Sequence, residues 1–440
     1  MSDLWKKSAT ELVSLLRSKQ LGVAELTAYY LDRIARYDQP KGLRAVAEID
    51  ETAMEQAGRL DNTPPEARGP LAGLPLLIKD NTDVQGLHTT AGSLALSDML
   101  AERDAPVIAR LRQNGAVMLG KTNMTEFANY MAQDMPNGFS SRGGQVVSTY
   151  GTRQDPGGSS TGSGVAAAAG FCGAAIGTDT SFSVVGCAMM NGISGLKPPI
   201  GALSCEGVIP IAHSMDSPGP LARTAGDVLM VYQAMREAPL APIAPAPVHG
   251  LRIAVNTCGM DKMDSAEAGR IEALLKALRA DGCITEEVNH PYAPGGRVIM
   301  QQEFRPDLEA CLAQMNARRK TLAEIVAFYE ANPTAMPHGM YCLTEALKPH
   351  DAAAYDETLA ERERLRASLA AELGSFDACL MTGWTNVMHV AGLPSLALRL
   401  GESAEGLPQG LLLYGADERR LYAAALAIEN YCSPGESPAL

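Results

Sequence analysis

The sequence predicts an α/β fold. Short apolar runs that read as strands alternate with longer segments of helical spacing along most of the chain. Glycine and proline turns separate them. Of the 440 residues, 46% are hydrophobic, enough for a sizeable core.

The elements follow in order. Leu12, Leu15 and Leu16, then Leu26, Tyr29, Tyr30 and Ile34, repeat at helical spacing with a break near Gly22. That gives two amphipathic helices within 8–37, and a third lies near 51–60. Residues 71–79, LAGLPLLIK, follow a Gly-Pro turn and read as a buried strand. Ala105–Asn114 reads as a helix, Ala116–Leu119 as the next strand and Asn123–Met131 as a helix. The small apolar residues of Ser163–Phe171 predict a buried helix. Ala174–Thr178 reads as a strand that ends at the Thr178-Asp179 turn. The Pro/Ala-rich segment 238–250 is the one linker candidate. Beyond it come a strand over Gly250–Asn256, a helix over Ser265–Asp281 and mostly helical, irregular structure over 300–375. Asp377–Met381 and Ser395–Leu398 read as late strands and Glu418–Tyr431 as a closing helix.

Charge narrows the function classes. There are 37 basic and 50 acidic side chains, a net charge of −13 with no acidic or basic tail. That balance argues against nucleic acid or an anionic membrane as the main partner. No signal-peptide pattern opens the chain, and no apolar run reaches the ~18–20 residues that span a bilayer. The nine cysteines form no CxxC pair and none pairs with a histidine at zinc spacing. These features predict a cytoplasmic protein with reduced thiols, no metal and no cofactor.

One stretch stands out: Asp155–Lys197 reads DPGGSSTGSGVAAAAGFCGAAIGTDTSFSVVGCAMMNGISGLK. Serines at 159–160 and at 181 and 183 sit among glycines on either side of an alanine-rich segment. Glycines let a backbone approach a ligand, and serines there are candidate nucleophiles or proton carriers. A phosphate loop needs a lysine after its last glycine, and none follows Gly162 or Gly164. A dinucleotide fingerprint lacks its third glycine. Gly158–Gly162 does match GxSxG around Ser160, but a turn rather than a strand precedes it. A glycine-rich turn into a packed helix, without chemistry, is the remaining reading of the stretch alone. Lys79, at the end of an apolar strand, adds a second kind of group, since burial lowers a lysine pKa toward that of a base.

Several motifs recur together and in order: PLLIKDN (75–81), GKTNMTEFA (120–128), RGGQ (142–145), DPGGSSTGSGVAAA (155–168), GTDTSFS (177–183), NGISGLKP (191–198), GVIPIAHSMDSPGPLART (207–224), AGLP (391–394) and GLPQGL (406–411). This set resembles the amidase signature family, and within it the branch of peptide amidases. The resemblance covers about residues 8–430. It implies a single domain over 1–440, a mixed twisted sheet with helices on both faces. Within it, 1–60 would supply N-terminal helices, 70–235 the signature core, 238–250 a surface crossing and 250–430 the rest of the core with substrate-pocket helices.

By position, the resemblance implies Lys79 as catalytic base, Ser159 as bridging serine after a cis peptide bond, and Ser183 as nucleophile. The backbone N–H groups of Thr180, Ser181, Phe182 and Ser183 would form an oxyanion hole, with Ser160 and Asp179 in support. The implied activity is hydrolysis of a linear carboxamide or acylamide C–N bond through an acyl-enzyme. The competing readings are a non-catalytic binding protein and an amidotransferase component that supplies ammonia to a partner. The implied partner is a small amide, and a homodimer is left open as the assembly.

One departure stands inside the motif. Ser181-Phe182 occupies positions where glycines are common in the family, so either the loop follows a β-compatible path with a narrowed pocket, or activity is weak or lost. Val185 stands where an arginine is common. Met131, with Met135, Phe139, Met336 and Met340, is a candidate for an apolar acyl pocket, and His213 and His389 are candidates for its lining.

Overall fold

The computed structural model describes residues 3–38, 42–349, 351–433 and 440. Thirteen strands are found among them: β1 (Val46–Ile49), β2 (Pro75–Lys79), β3 (Val117–Thr122), β4 (Phe139–Ser140), β5 (Gly144–Gln145), β6 (Ala174–Asp179), β7 (Ser194–Lys197), β8 (Ser217–Ala222), β9 (Arg252–Asn256), β10 (Ile284–Val288), β11 (Ala378–Met381), β12 (Ser395–Glu402) and β13 (Pro408–Tyr414). Eleven of them form one sheet in the order β1-β3-β2-β6-β8-β7-β12-β13-β11-β9-β10, while β4 and β5 pair with each other.

The sheet is mixed. β3, β2 and β6 run parallel to one another, as do β11, β9 and β10. Every other pairing is antiparallel. β2, β3 and β6 are buried at every position, as expected of parallel strands covered on both faces. Their shared direction brings Lys79, Thr122 and Asp179 to one edge, the carboxyl end where α/β sheets commonly hold ligands.

The buried helix spans Thr161–Ala168, with every residue buried. It can lie so close to the sheet edge because Gly162 has no side chain: a Cβ there would sit 2.3 Å from the carbonyl oxygens of Ala45 and Asn123. The N-terminal helices Ala9–Arg17 and Val23–Tyr37 carry the periodicity read from sequence, and Ser8 and Glu11 close a capping box on the first. The segment 238–250 is mostly exposed.

Several elements differ from expectation. Asn123–Met131 is not an α-helix. Only Glu126–Asn129 makes a 3₁₀ turn, and Phe127, Ala128 and Asn129 have φ of 46°, 53° and 71°. Three successive left-handed residues cannot continue a right-handed helix. β8 reads SPGPLA, and its two prolines hide a central strand. Pro218 and Pro220 lie opposite Thr178 and Ile176 of β6, while pairing with β7 on the other side is confined to Leu221 and Ala222, beyond both prolines. Local sequence rules do not predict β1, β7, β10 and β13, nor the helices Val185–Asn191 and Ala225–Met235.

Two apolar clusters fill the interior. The larger one surrounds the sheet. The second gathers residues from 91–135, 209–215 and 299–346 beneath the helices Gly295–Gln314, Leu322–Ala331 and Tyr341–Ala346.

Candidate active site

At the β2–β6 edge the Lys79 side chain is wholly buried. Its Nζ donates to Ser159 Oγ at 2.8 Å, Thr178 Oγ1 at 2.9 Å and the Thr178 carbonyl at 3.2 Å. Burial pushes its pKa down from 10.5 to about 8, against the opposing charges of Cys187, Asp179 and Asp216. Three acceptors suit the ammonium. Loss of one proton converts the Ser159 contact from donor to acceptor while both Thr178 bonds remain. Asn81 Nδ2 holds Thr178 Oγ1 from the other side at 3.0 Å.

Ser159 follows the cis Gly158–Ser159 bond. Its carbonyl accepts from Thr125 N at 3.1 Å. The next residue, Ser160, is committed elsewhere: its Oγ donates to the Thr178 carbonyl at 3.0 Å and accepts from Thr178 N at 3.2 Å. Gly177 allows that approach, since a Cβ there would lie 2.6 Å from Ser160 Oγ. Ser160 therefore anchors the serine loop to β6, and the GxSxG reading of this stretch fails. Ser160 N also donates to the Ser183 carbonyl at 3.2 Å, which ties the two serine segments together. Among the described residues, no hydrogen bond joins the Ser159 and Ser183 hydroxyls.

Between Asp179 and Ser183 the chain forms a tight loop. Asp179 Oδ2 accepts from Val184 N at 2.7 Å and Val185 N at 3.2 Å, closing the turn that presents Ser183. Thr180 Oγ1 donates to Asp216 Oδ1 at 2.5 Å. Burial raises the Asp216 pKa to about 6 against these hydrogen bonds. Among the described residues, no acceptor takes a hydrogen bond from the backbone N–H of Thr180, Ser181, Phe182 or Ser183.

Phe182 does not take the β-compatible path expected of a non-glycine residue; the structure shows a third outcome, in which Phe182 itself adopts the glycine-type conformation. Its φ is 66°, in the left-handed region that favours glycine. The ring is held on two sides. It stacks on Trp384 at 4.0 Å with 19° between planes, and meets His389 edge-on at 4.3 Å. A left-handed non-glycine residue costs about 1–2 kcal/mol, and two aromatic contacts of about 0.5–1.5 kcal/mol each offset that.

His389 meets the Phe182 ring and is not among the described residues bordering the cleft at the serine loops. It is wholly buried, and burial pushes its pKa down to about 4, so it is neutral at pH 7. Its Nδ1 lies 3.6 Å from Asp179 Oδ1, beyond a hydrogen bond. Among the described residues, Asp179 Oδ1, both His389 ring nitrogens, Lys197 Nζ and Ser395 Oγ have no hydrogen-bond partner. Burial also lowers the Lys197 pKa.

His213 lies apart from the site. Its side chain is 66% exposed and bonds Asp307 at 2.9 Å and Glu303 at 3.2 Å. The three could approach one ion, yet their atoms are already used, because Ser214 and Tyr355 also bond Glu303. Met131 is wholly buried in the second apolar cluster. Met135 and Met336 share that cluster, and Phe139 and Met340 pack against it. None of them is among the described residues bordering the cleft at the serine loops; Asn129, from the left-handed turn, borders it instead.

That cleft, about 290 Å³, runs past Gly158, Ser181 and Phe182. Tyr292, Arg297 and Trp384 border it too. Sequence reasoning misses these three, together with Thr178 and Asn81. Trp384 carries a signal, being one of two tryptophans and lying near the AGLP motif. Two motif residues prove structural: Arg142 of RGGQ bridges Asp80 at 3.4 Å and Glu48 at 3.2 Å, and Lys121 of GKTN lies buried 3.9 Å from Asp80.

Known proteins resemble the chain in sequence and in fold. The family model "Amidase" matches residues 25–381. The solved peptide amidase of Stenotrophomonas maltophilia superposes with a TM-score of 0.91 at 33% identity, over 98% of both chains. A "Probable amidase" of Arabidopsis thaliana is 29% identical over 94% of this chain and 87% of its own length. A glutamyl-tRNA(Gln) amidotransferase subunit of Exiguobacterium sibiricum is 29% identical over 97% of this chain and 98% of its own length. By motif order, sheet architecture and the extent of these matches, the chain belongs to the amidase signature family of C–N bond hydrolases.

Proposed function

We propose that the chain hydrolyses a linear carboxamide or small acylamide through an acyl-enzyme on Ser183. The observation that carries this reading is the buried Lys79 amine, 2.8 Å from Ser159 Oγ, with a pKa brought down to about 8. Ser183 Oγ attacks the amide carbonyl carbon. Its proton passes to Ser159 Oγ, whose own proton moves to neutral Lys79. The carbonyl oxygen becomes an oxyanion and accepts from the unpaired N–H groups of the 180–183 loop. As the intermediate collapses, Lys79 returns a proton through Ser159 to the leaving nitrogen. Water then attacks the acyl-enzyme by the same route, releasing the acid and restoring Ser183. Bound substrate closes the remaining gap between the two hydroxyls, since catalytic hydrogen bonds often tighten only in the complex.

The full-length likeness to an amidotransferase subunit supports a second reading, in which the chain supplies ammonia to a partner. Nine free cysteines fit a reducing, cytoplasmic setting, and among the described residues no helix is long and apolar enough to cross a membrane.

The test is release of ammonia or amine from a panel of carboxamides, peptide amides and aryl amides by the purified chain. Ser183→Ala and Lys79→Ala are expected to abolish turnover. Turnover that survives Ser183→Ala removes the nucleophile assignment. Ammonia release only in the presence of a partner protein selects the second reading.

A further inference from the structure

We propose that the cleft selects amides in which a planar apolar group and a carboxylate lie on the same substrate. The Phe182–Trp384 stack takes the ring and Arg297 takes the charge. This deepens the amidase reading and rests on it.

The apolar half of the argument is exposure. Among the described residues, Trp384 at 62% and Tyr292 at 55% are the two most exposed large hydrophobic side chains. Both border the same cleft. Trp384 lies nearly parallel to Phe182, which covers one indole face, while the side chain as a whole stays exposed. Exposed aromatic surface gathered in one concave place marks a binding site. At about 290 Å³ the cleft suits one ring with a short chain and not a long peptide.

The charged half is composition. The chain has 50 acidic and 37 basic side chains, yet no Asp or Glu is among the described residues bordering the cleft. Arg297 is the one charged residue there. It is exposed, on the first turn of the helix Gly295–Gln314, and among the described residues it forms no ion pair. Asp155 is not among the described residues bordering the cleft; its carboxylate is engaged by Asn137 Nδ2 at 3.1 Å and by Gly157 N at 2.7 Å. In a protein of net charge −13, a cleft with one uncommitted guanidinium is a local reversal of sign. Such a site favours an anion and disfavours an ammonium. Val185 supplies no cation beside Ser183, so the anion binds on the Arg297 wall, away from the attacked carbonyl.

Binding without turnover separates this proposal from the reaction. Three ligands with one skeleton, 3-phenylpropionate, 3-phenyl-1-propanol and 3-phenylpropylammonium, contain no amide bond. Each is titrated into the protein while tryptophan fluorescence is recorded, with Trp384→Phe leaving only Trp5. The expected order of affinity is carboxylate, then alcohol, then ammonium. Arg297→Gln weakens the carboxylate on the order of five- to tenfold and leaves the alcohol within about twofold. Arg297→Lys restores part of the loss. Equal weakening of all three ligands by Arg297→Gln, or an ammonium bound as tightly as the carboxylate, overturns the proposal. A signal that persists in Trp384→Phe overturns the aromatic half. If the ligands bind as expected but no amide is cleaved, the binding inference stands and the amidase reading falls.

Discussion

Raising the pH from 7 to 9 increases kcat/KM about tenfold if neutral Lys79 is the base. With a pKa of about 8, one-tenth of the amine is neutral at pH 7 and nine-tenths at pH 9. An unperturbed lysine, near 10.4, would be neutral in only about 0.04% of molecules at pH 7. The same burial shows in stability. The folded pKa lies below the unfolded one, so the charged form is disfavoured in the folded state. Below pH 8 the folded protein bears the whole cost of a buried ammonium, 10.5 − 8 = 2.5 pH units, or about 3 kcal/mol. Above pH 8 that cost shrinks by about 1.4 kcal/mol per pH unit and vanishes near 10.5. Wild type therefore gains stability relative to Lys79→Met as pH rises from 8 toward 10. The assays are a kcat/KM profile over pH 6.5–9.5 and urea unfolding of both proteins at pH 7, 8.5 and 9.5. Burial brings Lys121 to about 8 as well, which makes Lys121→Met the control. A flat activity profile, or a limb that disappears in Lys121→Met, refutes the assignment.

Further outcomes follow from the same geometry. Ser159→Ala breaks the Lys79 contact at 2.8 Å and lowers kcat by about 10²–10⁴, with KM little changed, in steady-state assays. Ser183→Ala abolishes acyl-enzyme formation and labelling by a fluorophosphonate, read by intact mass. Phe182→Gly relieves the positive φ but deletes both ring contacts and a side chain only 6% exposed, so it lowers the unfolding free energy by about 2–4 kcal/mol, read by urea unfolding. It also opens the cleft, raising KM for ring-bearing amides more than for aliphatic ones. His213→Ala leaves kcat/KM within about twofold, because the imidazole is committed to Asp307 and Glu303 outside the cleft.

Sequence makes the chemistry legible where it lies in contiguous motifs. Lys79, Ser159 and the 179–183 loop are singled out by the resemblance, whose motifs are contiguous in sequence, and the structure brings the three segments together through the Lys79–Ser159 and Ser160–Ser183 hydrogen bonds. Ser160 separates from Ser159 only by position in the motif; the structure supplies the reason, a pair of hydrogen bonds to Thr178. Local rules fail where tertiary context prevails. The prolines of β8 read as a breaker until its limited pairing with β7 is seen. Phe127–Asn129 looks helical by composition, yet the backbone there is left-handed. The cleft wall is least legible. Tyr292, Arg297 and Trp384 come from segments some 90 residues apart that carry no periodic signal, and only folding brings them to the serine loops. Methionines draw attention to 131 and 135 instead, and these fill a core.

The two apolar clusters carry a consequence for motion. The serine loops and Lys79 are built on the sheet and its core, whereas Tyr292 through Met300 lead into helices that close over a core of their own. Regions with separate cores can open as separate cooperative units. Amide hydrogens of residues 299–346 therefore exchange by a sub-global opening of lower free energy than those of β2, β3 and β6. A ligand that bridges Trp384 and Arg297 links the two units, so it slows exchange across the whole helical layer rather than only at the residues it touches.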